Sequence, residues 1–187
     1  MKNRLPALGV NSLDEYSIES VTANDLQKFI NIIKDPEIKV HNRIPDTDAE
    51  LEIFFSRIGM HLWGSYVFAY RNNELVGIIG TSQGDPSSLS VEITSVLIKP
   101  NLAKFPLIIF LRRVFWNFPI NRIYCYCPLT QNQSIFPELY MSVGFVNEGK
   151  LPRYWLEKNQ RFDICILGLL REDFLNWCKL FEPRLLI

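Results

Sequence analysis

The chain has 187 residues, of which 48% are hydrophobic and 21% charged, and this length suits a single domain with its own core. Apolar residues are too plentiful for a disordered chain. Twenty Lys and Arg residues balance twenty Asp and Glu residues, which argues against nucleic acid as a partner. Since the sequence has neither a run of about 18 apolar residues nor the apolar region of a signal peptide, we expect no membrane partner.

The first third of the chain predicts an irregular lead-in over residues 1–13, followed by one strand and two helices. Residues 16–21 alternate between apolar and polar side chains, as a half-buried strand does. Thr22 is expected to cap a helix that ends near Lys34, because apolar side chains recur there at helical spacing. After a loop with two prolines, Asp46 or Thr47 begins the second helix.

The middle of the chain predicts three consecutive strands. Residues 66–70 and 75–81 are apolar, and Arg71-Asn72-Asn73-Glu74 between them is typical of a hairpin turn. A second turn over residues 84–88 leads into residues 90–98, which alternate and are rich in Val and Ile. The short connections make these strands antiparallel neighbours.

Beyond Pro100 the apolar pattern changes to helical spacing. It predicts helices over residues 105–117, 134–143 and 171–181, and strands over residues 122–127, 145–151 and 162–170. The strand before residues 105–117 and the strand after them should be parallel neighbours that splay apart at their C-terminal ends. We therefore expect one mixed α+β domain over residues 14–187.

The cysteines do not have the spacing of a metal site. They are Cys125, Cys127, Cys165 and Cys178. The pair at 125 and 127 lies on one face of a predicted strand, and neither His41 nor His61 stands at zinc-ligand spacing from it. We expect no metal, and thiols kept reduced in a cytoplasmic protein.

Several segments, taken in order, resemble the GCN5-related N-acetyltransferase (GNAT) superfamily. They are Glu92–Pro100, a strand ending in apolar-x-Pro; Asn121-Arg122-Ile123; Leu139-Tyr140-x3-Gly144-Phe145-x2-Glu148-Gly149; and Asp163 with the apolar strand after it. Asp35-Pro36-Glu37-Ile38 and Thr47-Asp48-Ala49-Glu50 resemble the branch that acetylates ribosomal-protein N-termini. The resemblance covers roughly residues 14–176. It implies a GNAT fold, with a central mixed sheet of six to seven strands and helices on both faces.

The resemblance also implies an activity and a set of site residues. An acyl group, acetyl by family default, passes from a thioester such as acetyl-CoA to a primary amine of a peptide, protein or small molecule. Glu92 takes the place of a general base acting through water, and Tyr140 that of the acid that protonates the leaving thiolate. Residue type alone leaves another interpretation open for each: Glu92 as a solvent-facing carboxylate of the strand, and Tyr140 as a tyrosine packed on the sheet. The expected contacts of the pantetheine arm are Leu97, Ile98, Asn132 and Ser134.

One segment departs from the family's pattern, which is roughly R-G-x-G-x-G in the loop that binds the phosphates. The matching positions hold Ala103, Lys104, Phe105, Pro106, Leu107 and Ile108. Glycines let backbone N–H groups approach a pyrophosphate closely, and a proline removes one donor. Of these residues, Ala103, Lys104, Leu107 and Ile108 remain the candidates for cofactor binding.

This degenerate loop leaves three alternatives for the function. The first is an enzyme that uses acetyl-CoA despite the loop. The second is an N-acyltransferase that takes a longer chain from an acyl carrier protein, docked on the basic residues Lys99, Lys104, Arg112 and Arg113. The third is a GNAT-fold binding module that has lost catalysis.

Overall fold

The structure is a computed structural model that describes residues 12–35, 38, 66–85, 87–130, 135–157 and 159–186. The predicted second helix, which begins at Asp46 or Thr47, lies outside the described residues. So do the expected site residues Asn132 and Ser134, the two histidines, and most of the acceptor-side segment that resembles the ribosomal-protein branch.

Eight strands of the described chain form one sheet. They are β1 (Ser12–Leu13), β2 (Tyr16–Ser20), β3 (Tyr66–Arg71), β4 (Glu74–Asp85), β5 (Ser90–Leu97), β6 (Arg122–Pro128), β7 (Val146–Glu157) and β8 (Gln160–Leu170). Their order is β1-β2-β3-β4-β5-β6-β8-β7. Every neighbouring pair is antiparallel except β5 and β6, which are parallel. The predicted mixed sheet is confirmed.

The sheet has one strand more than the predicted six to seven. The additional strand is β1, whose Ser12 and Leu13 lie in the segment that the sequence indicated to be irregular. They pair with Ser17 and Tyr16 across a tight turn at Asp14, where φ is 53°. A two-residue strand is too short to show an alternating pattern, which is why the sequence did not indicate it.

Helices cover both faces of the sheet, as predicted. They are α1 (Leu26–Lys34), α2 (Lys104–Asn117), α3 (Ile135–Met141) and α4 (Arg171–Phe181). On one face, Phe29 and Ile33 of α1 pack with Phe68, Ile78 and Val96 of the sheet. The opposite face carries the larger core, to which α2, α3 and α4 all contribute buried side chains.

The predicted cap of the first helix is wrong. The N-cap residue of α1 is Asp25, and it makes no side-chain cap hydrogen bond. Instead, the N–H and hydroxyl of Thr22 donate to the carboxylate of Asp25 at 2.9 and 2.6 Å, and residues Ala23–Asp25 form a 3₁₀ turn before α1 begins at Leu26. The Thr22 hydroxyl thus acts as a donor to Asp25, whereas a capping threonine accepts from an N–H of the first helical turn.

The predicted splay of the two parallel strands is confirmed. Strands β5 and β6 pair only over Ser90–Glu92 and Arg122–Tyr124. Beyond that point, β5 stays paired with β4 as far as Leu97, and β6 stays paired with β8 as far as Pro128. The two strands therefore diverge, and the sheet opens in its middle.

Candidate active site

A cleft lies between β5 and β6, where the two strands diverge. Its walls are the diverging strands and the side of α3 that faces them. The residues that line it are Glu92, Ile93, Thr94, Ser95, Cys125, Tyr126, Cys127, Pro128, Phe136 and Tyr140. Both catalytic residues implied by the resemblance, Glu92 and Tyr140, are among them.

The cleft is lined from both faces of the sheet because side chains alternate along each strand. Ile93 of β5 belongs to the core under α2, α3 and α4, whereas Val96 belongs to the core under α1. By this alternation, Glu92 lies on the α1 face and Ser95 on the α3 face. Glu92 and Tyr140 therefore approach the cleft from opposite sides.

Tyrosines surround Glu92 on the α1 face. Tyr124 is its partner in the register between β5 and β6, and the Tyr126 ring lies 5.7 Å from the Tyr124 ring. Burial, followed by the negative charge of Glu92, raises the pKa of Tyr124 and raises that of Tyr66 to about 12. Tyr66 and Tyr124 are therefore neutral at pH 7.

Gly80 makes room for Tyr66 in this group. It pairs with Tyr66 of β3 on one side and with Thr94 of β5 on the other. A Cβ at Gly80 would lie 2.3 Å from Cδ1 of the Tyr66 ring. The ring therefore lies across β4 where a side chain is missing, and this brings it toward the row that contains Glu92.

The end of α3 fixes Tyr140 on the other face. The N–H of Phe145 donates to the Tyr140 carbonyl and that of Gly144 to the Met141 carbonyl, the pattern of a Schellman motif. Gly144 has a φ of 101°, which suits glycine. The Phe145 ring then packs edge-on at 5.1 Å from the Tyr140 ring. Gly144 therefore ends the helix, and this motif anchors the candidate acid.

The phenol of Tyr140 is buried but has a polar partner. The side chain is 2% exposed, and its Oη shares a hydrogen bond of 3.0 Å with Oγ of Ser95. Burial raises its pKa well above the ordinary value, with smaller increases from Cys125, Cys127 and Glu92. Tyr140 is therefore protonated at neutral pH, the state that a general acid needs.

Three thiols lie on the same face of the cleft. Sγ of Cys125 is 3.7 Å from Sγ of Cys127, and the thiol of Cys165 donates to the Cys127 carbonyl at 3.5 Å. The hydrogen bond with Cys125 raises the pKa of Cys127, and the hydrogen bond with Cys127 raises that of Cys165. The thiols of Cys127 and Cys165 therefore stay protonated, which makes them weak nucleophiles.

The residues that the resemblance places in the phosphate loop, Ala103–Ile108, lie at the start of α2. The N–H of Ala103 donates to the Pro100 carbonyl, and that of Leu107 donates to the Ala103 carbonyl. Leu107 and Ile108 are 2% and 0% exposed and belong to the core. The N–H groups that a helix leaves without an internal partner are those of its first turn. Here they come from Lys104 and Phe105, since Pro106 has none.

The remaining cofactor candidates lie on β5 and just beyond it. The N–H of Ile98 donates to the Val76 carbonyl at 2.9 Å, so β4 already uses this donor. Leu97, one position earlier, pairs with Gly77 of β4. In an antiparallel ladder the backbone groups of successive residues point alternately toward and away from the neighbouring strand. Those of Leu97 therefore point away from β4, toward β6.

One of the four expected basic contacts is wrong. Arg112 is 3% exposed, with its guanidinium over the Trp116 ring at 5.2 Å, so it does not face a docking protein. The sequence predicts an exposed Arg112 because charged residues are mostly found on protein surfaces. Lys104 is exposed, whereas Lys99 forms an ion pair with Glu74 and Arg113 donates to the Ser20 hydroxyl at 2.8 Å.

Sequence reasoning missed two residues of the cleft, Ser95 and Tyr126. Ser95 lies three positions after Glu92 and so faces the opposite side of the strand, and the alternation of β5 was the available signal for it. Tyr126 follows Tyr124 at the spacing that puts both on one face. The sequence contains both patterns, but neither indicates which face meets Tyr140.

Two further observations concern only the residues that the structure describes. Within this part of the chain, no three His, Cys, Asp or Glu side chains come together in a group that could hold a metal ion. None of the described helices is both long enough and apolar enough to cross a membrane.

No protein-family model matches the chain, and no curated protein matches it. Solved structures do. The spermidine N-acetyltransferase of Vibrio cholerae, in complex with CoA and spermine, is 16% identical with a TM-score of 0.69, covering 88% of this chain and 100% of its own. A point variant of that enzyme is also 16% identical, with a TM-score of 0.70, and the match covers 88% of this chain and 98% of the variant's chain. A chimera of the same enzyme with hSSAT is 16% identical, with a TM-score of 0.68, and the match covers 87% of this chain and 99% of the chimera's chain.

These likenesses extend over nearly the full length of the matched chains, although few residues are identical. Structural similarity at such low sequence identity establishes a common fold, and the activity has to be argued from the site. The arrangement of the strands, the opening between β5 and β6 and the agreement with these N-acetyltransferase structures together confirm that the chain has the GNAT fold.

Proposed function

We propose that the protein is an N-acyltransferase that moves an acyl group from a thioester directly to a primary amine. The observation that carries this proposal is the cleft between β5 and β6, where a carboxylate and a protonated phenol meet from opposite faces of the sheet. A base and an acid on opposite sides of a reacting carbonyl are what aminolysis of a thioester requires.

The residues divide the proton transfers between them. On the α1 face, Glu92 accepts a proton, through water, from the acceptor ammonium. The free amine attacks the thioester carbon, and the tetrahedral intermediate loses a second proton from nitrogen as it collapses. The C–S bond breaks, and Tyr140 donates its phenolic proton to the departing sulfur. The products are an amide and a thiol, with one proton released to solvent overall.

The state of the thiols supports direct transfer rather than an acyl-enzyme. Cys125 and Cys127 line the cleft, but the pKa of Cys127 is raised by its hydrogen bond with Cys125. A thiol attacks as its thiolate, so Cys127 is poorly suited to carry an acyl group. All four cysteines are free, which supports a reducing compartment, such as the cytoplasm, as the place of action.

Acetyl-CoA is the first donor to consider, since one of the neighbouring enzymes was solved with CoA. The same structure contains spermine, which makes an alkyl polyamine the first acceptor class. Resemblance to the ribosomal-protein branch makes a peptide α-amine the second acceptor class. The glycine-free loop at Lys104–Ile108 favours an acyl carrier protein as the alternative donor.

The experiment is an assay of thiol release from acetyl-CoA with spermidine or with a peptide N-terminus as acceptor. Glu92→Gln should lower turnover and move the pH optimum upward, because the amine must then lose its proton to solvent. Tyr140→Phe should lower kcat by about a hundredfold, the lower end of what a general acid contributes, with little change in the acceptor KM.

Matched controls are available on the surface. Glu138→Gln changes a carboxylate that does not line the cleft, and Tyr154→Phe removes a phenol on a side chain that is 63% exposed. Both controls should keep wild-type rates. If Glu92→Gln and Tyr140→Phe also keep them on an accepted substrate, the assignment of base and acid is wrong. Binding of CoA without turnover of any acceptor would favour the binding module.

A further inference from the structure

Ser95 is the hydrogen-bond partner of the Tyr140 hydroxyl among the residues that the structure describes. The two oxygens are 3.0 Å apart. Ser95 lies on β5, three residues past the end of its pairing with β6, and Tyr140 lies near the C-terminal end of α3. The hydrogen bond therefore spans the cleft and joins the strand to the helix at its wall.

The rest of the surroundings of Tyr140 offers little to orient its hydroxyl group. The phenol ring packs against Phe145, and the neighbouring walls of the cleft are Phe136, Cys125 and Cys127. Aromatic carbon and thiol groups are weak hydrogen-bond partners. A strong partner in such a place fixes the direction of the O–H bond, because a buried hydroxyl without one loses free energy.

We propose that Ser95 is a positioning residue for the reaction: its hydroxyl donates to Tyr140 Oη, which directs the phenolic proton at the leaving sulfur and stabilises the phenolate as it forms. This inference rests on the proposed function, in which Tyr140 is the acid.

The direction of the hydrogen bond follows from the chemistry of the step. The O–H bond of Tyr140 breaks and an S–H bond forms, so the phenol oxygen gains negative charge while the sulfur loses it. A donor aimed at that oxygen binds more tightly as the charge develops, and interactions of this kind lower barriers. Solvent or buffer then returns a proton to the phenolate.

Charged and titratable groups on each side of Tyr140 bear on the same oxygen. Cys125 and Cys127 of β6 and Glu92 of β5 disfavour the phenolate, in that order of size after burial, whereas the hydrogen bond from Ser95 favours it. Ser95 is thus the one neighbour among these that offsets the cost of ionising Tyr140.

The first test is a double-mutant cycle with Ser95→Ala and Tyr140→Phe. Alone, Ser95→Ala should lower kcat by about tenfold to a hundredfold, the factor typical of a hydrogen bond to a charged group, and leave the acceptor KM almost unchanged. In the Tyr140→Phe background it should change nothing further, because the group it acts through is gone. Ser95→Thr, which keeps the hydroxyl, should recover most of the rate.

The second test needs no turnover. Difluorotyrosine placed at position 140 ionises at lower pH than tyrosine, and its absorbance reports the ionisation directly. Replacing Ser95 with alanine in that protein should move the midpoint to higher pH, and threonine should move it back. Circular dichroism across the titration checks that each variant stays folded, so that a fold defect is not mistaken for the effect.

The outcomes separate this inference from the proposed function. If the Tyr140→Phe variant has a lowered kcat and the Ser95→Ala variant has the wild-type kcat, the role of Ser95 is overturned and Tyr140 remains the acid. Equal losses from Ser95→Ala with and without Tyr140 mean a merely structural serine, and they overturn the role as well. A Tyr140→Phe with wild-type kcat overturns both assignments. An unchanged midpoint for difluorotyrosine overturns the role of Ser95 even where no substrate is known.

Discussion

Local hydrogen bonds and burial move the pKa of individual side chains in opposite directions. Burial keeps Tyr140 protonated, whereas Asp85 at the end of β4 lies at the surface and is held ionised. The hydroxyl groups of Ser87 and Ser88 donate to its carboxylate at 2.6 and 2.8 Å, and the Ser87 N–H does so at 2.9 Å. These bonds lower its pKa to about 2 from an ordinary 3.8 and close the turn that leads into β5.

The lowered pKa of Asp85 predicts a pH-dependent contribution to stability. The folded-state value is below the unfolded one, so the contribution is fully present above pH 4 and is lost as the pH falls from about 4 to about 2. Asp85→Ala should therefore be less stable than wild type at pH 7, and the difference should shrink over that range. Urea unfolding at a series of pH values measures it.

A matched variant tests the cause. Ser88→Ala removes one of the two hydroxyl donors and should give a smaller deficit with the same dependence on pH. A deficit for Asp85→Ala that stays constant from pH 7 to pH 3 would mean that the carboxylate stabilises the turn through its shape rather than its charge.

At the scale of elements, the start of α2 bears on the donor of the proposed reaction. The family's loop places several N–H groups around a pyrophosphate, but here Ala103 and Leu107 use theirs within the turn and the helix. Pro106 has no N–H to offer, and the side chains that follow it are buried. The element has become a packed helix end that offers little to a phosphate.

This arrangement predicts that the nucleotide part of CoA contributes little to binding. Losing two or three charge-assisted hydrogen bonds at about 1.5–3 kcal/mol each costs about 3–9 kcal/mol. The about 4 kcal/mol that separates a Kd of 1 μM from one of 1 mM lies within this range, so we expect the Kd of CoA near 1 mM. Acetyl-pantetheine should then be a donor within about tenfold of acetyl-CoA in kcat/KM. Calorimetry and the thiol-release assay measure the two quantities.

The control variant is Pro106→Ala, which restores an N–H in the first turn of α2. It should tighten CoA binding and leave acetyl-pantetheine unaffected, since only CoA carries the pyrophosphate. A low-micromolar Kd for CoA in the wild-type protein would contradict this account and return acetyl-CoA to the position of the natural donor.

At the scale of the whole molecule, Arg171 ties the C-terminal helix to the crossover that sets up the cleft. Its guanidinium donates to the carbonyls of Phe118 and Ile120 at 2.7 and 2.8 Å, and its N–H donates to the Asn121 carbonyl at 2.8 Å. These residues form the link from α2 to β6.

Removing that tie should destabilise the fold. Arg171→Ala leaves two partly buried carbonyls without their donor, which costs about 2–4 kcal/mol of the free energy of unfolding. Arg171→Lys should recover part of it, because an ammonium reaches one carbonyl but lacks the fork. Lys179→Ala, exposed on the same helix, serves as the control. Urea unfolding that shows Arg171→Ala within about 0.5 kcal/mol of wild type would contradict the role.

Much of the fold could be predicted because it depends on local patterns. The hairpin at Asn72-Asn73 follows from two residues that tolerate the positive φ of 47° and 65° found there. The parallel pair follows from the strand–helix–strand order, and the end of α3 follows from Gly144. Where a short segment lacks a repeating pattern, as at Ser12–Leu13, or where two caps compete, as at Thr22 and Asp25, the sequence did not decide the outcome.

From β2 onward, the sequence by itself determined the order of the described strands and α-helices. It also determined the opening between β5 and β6 and the presence of Glu92 and Tyr140, since periodicity, turn residues and chain connectivity act over short distances. Only the tertiary structure decided that these two groups enter the cleft from opposite faces and that Ser95 meets Tyr140, 45 positions away. It likewise decided that Arg112 is buried and that the N–H groups of Ala103 and Leu107 are already in use. Such pairings depend on how the helices pack across the sheet, and no local pattern encodes that packing.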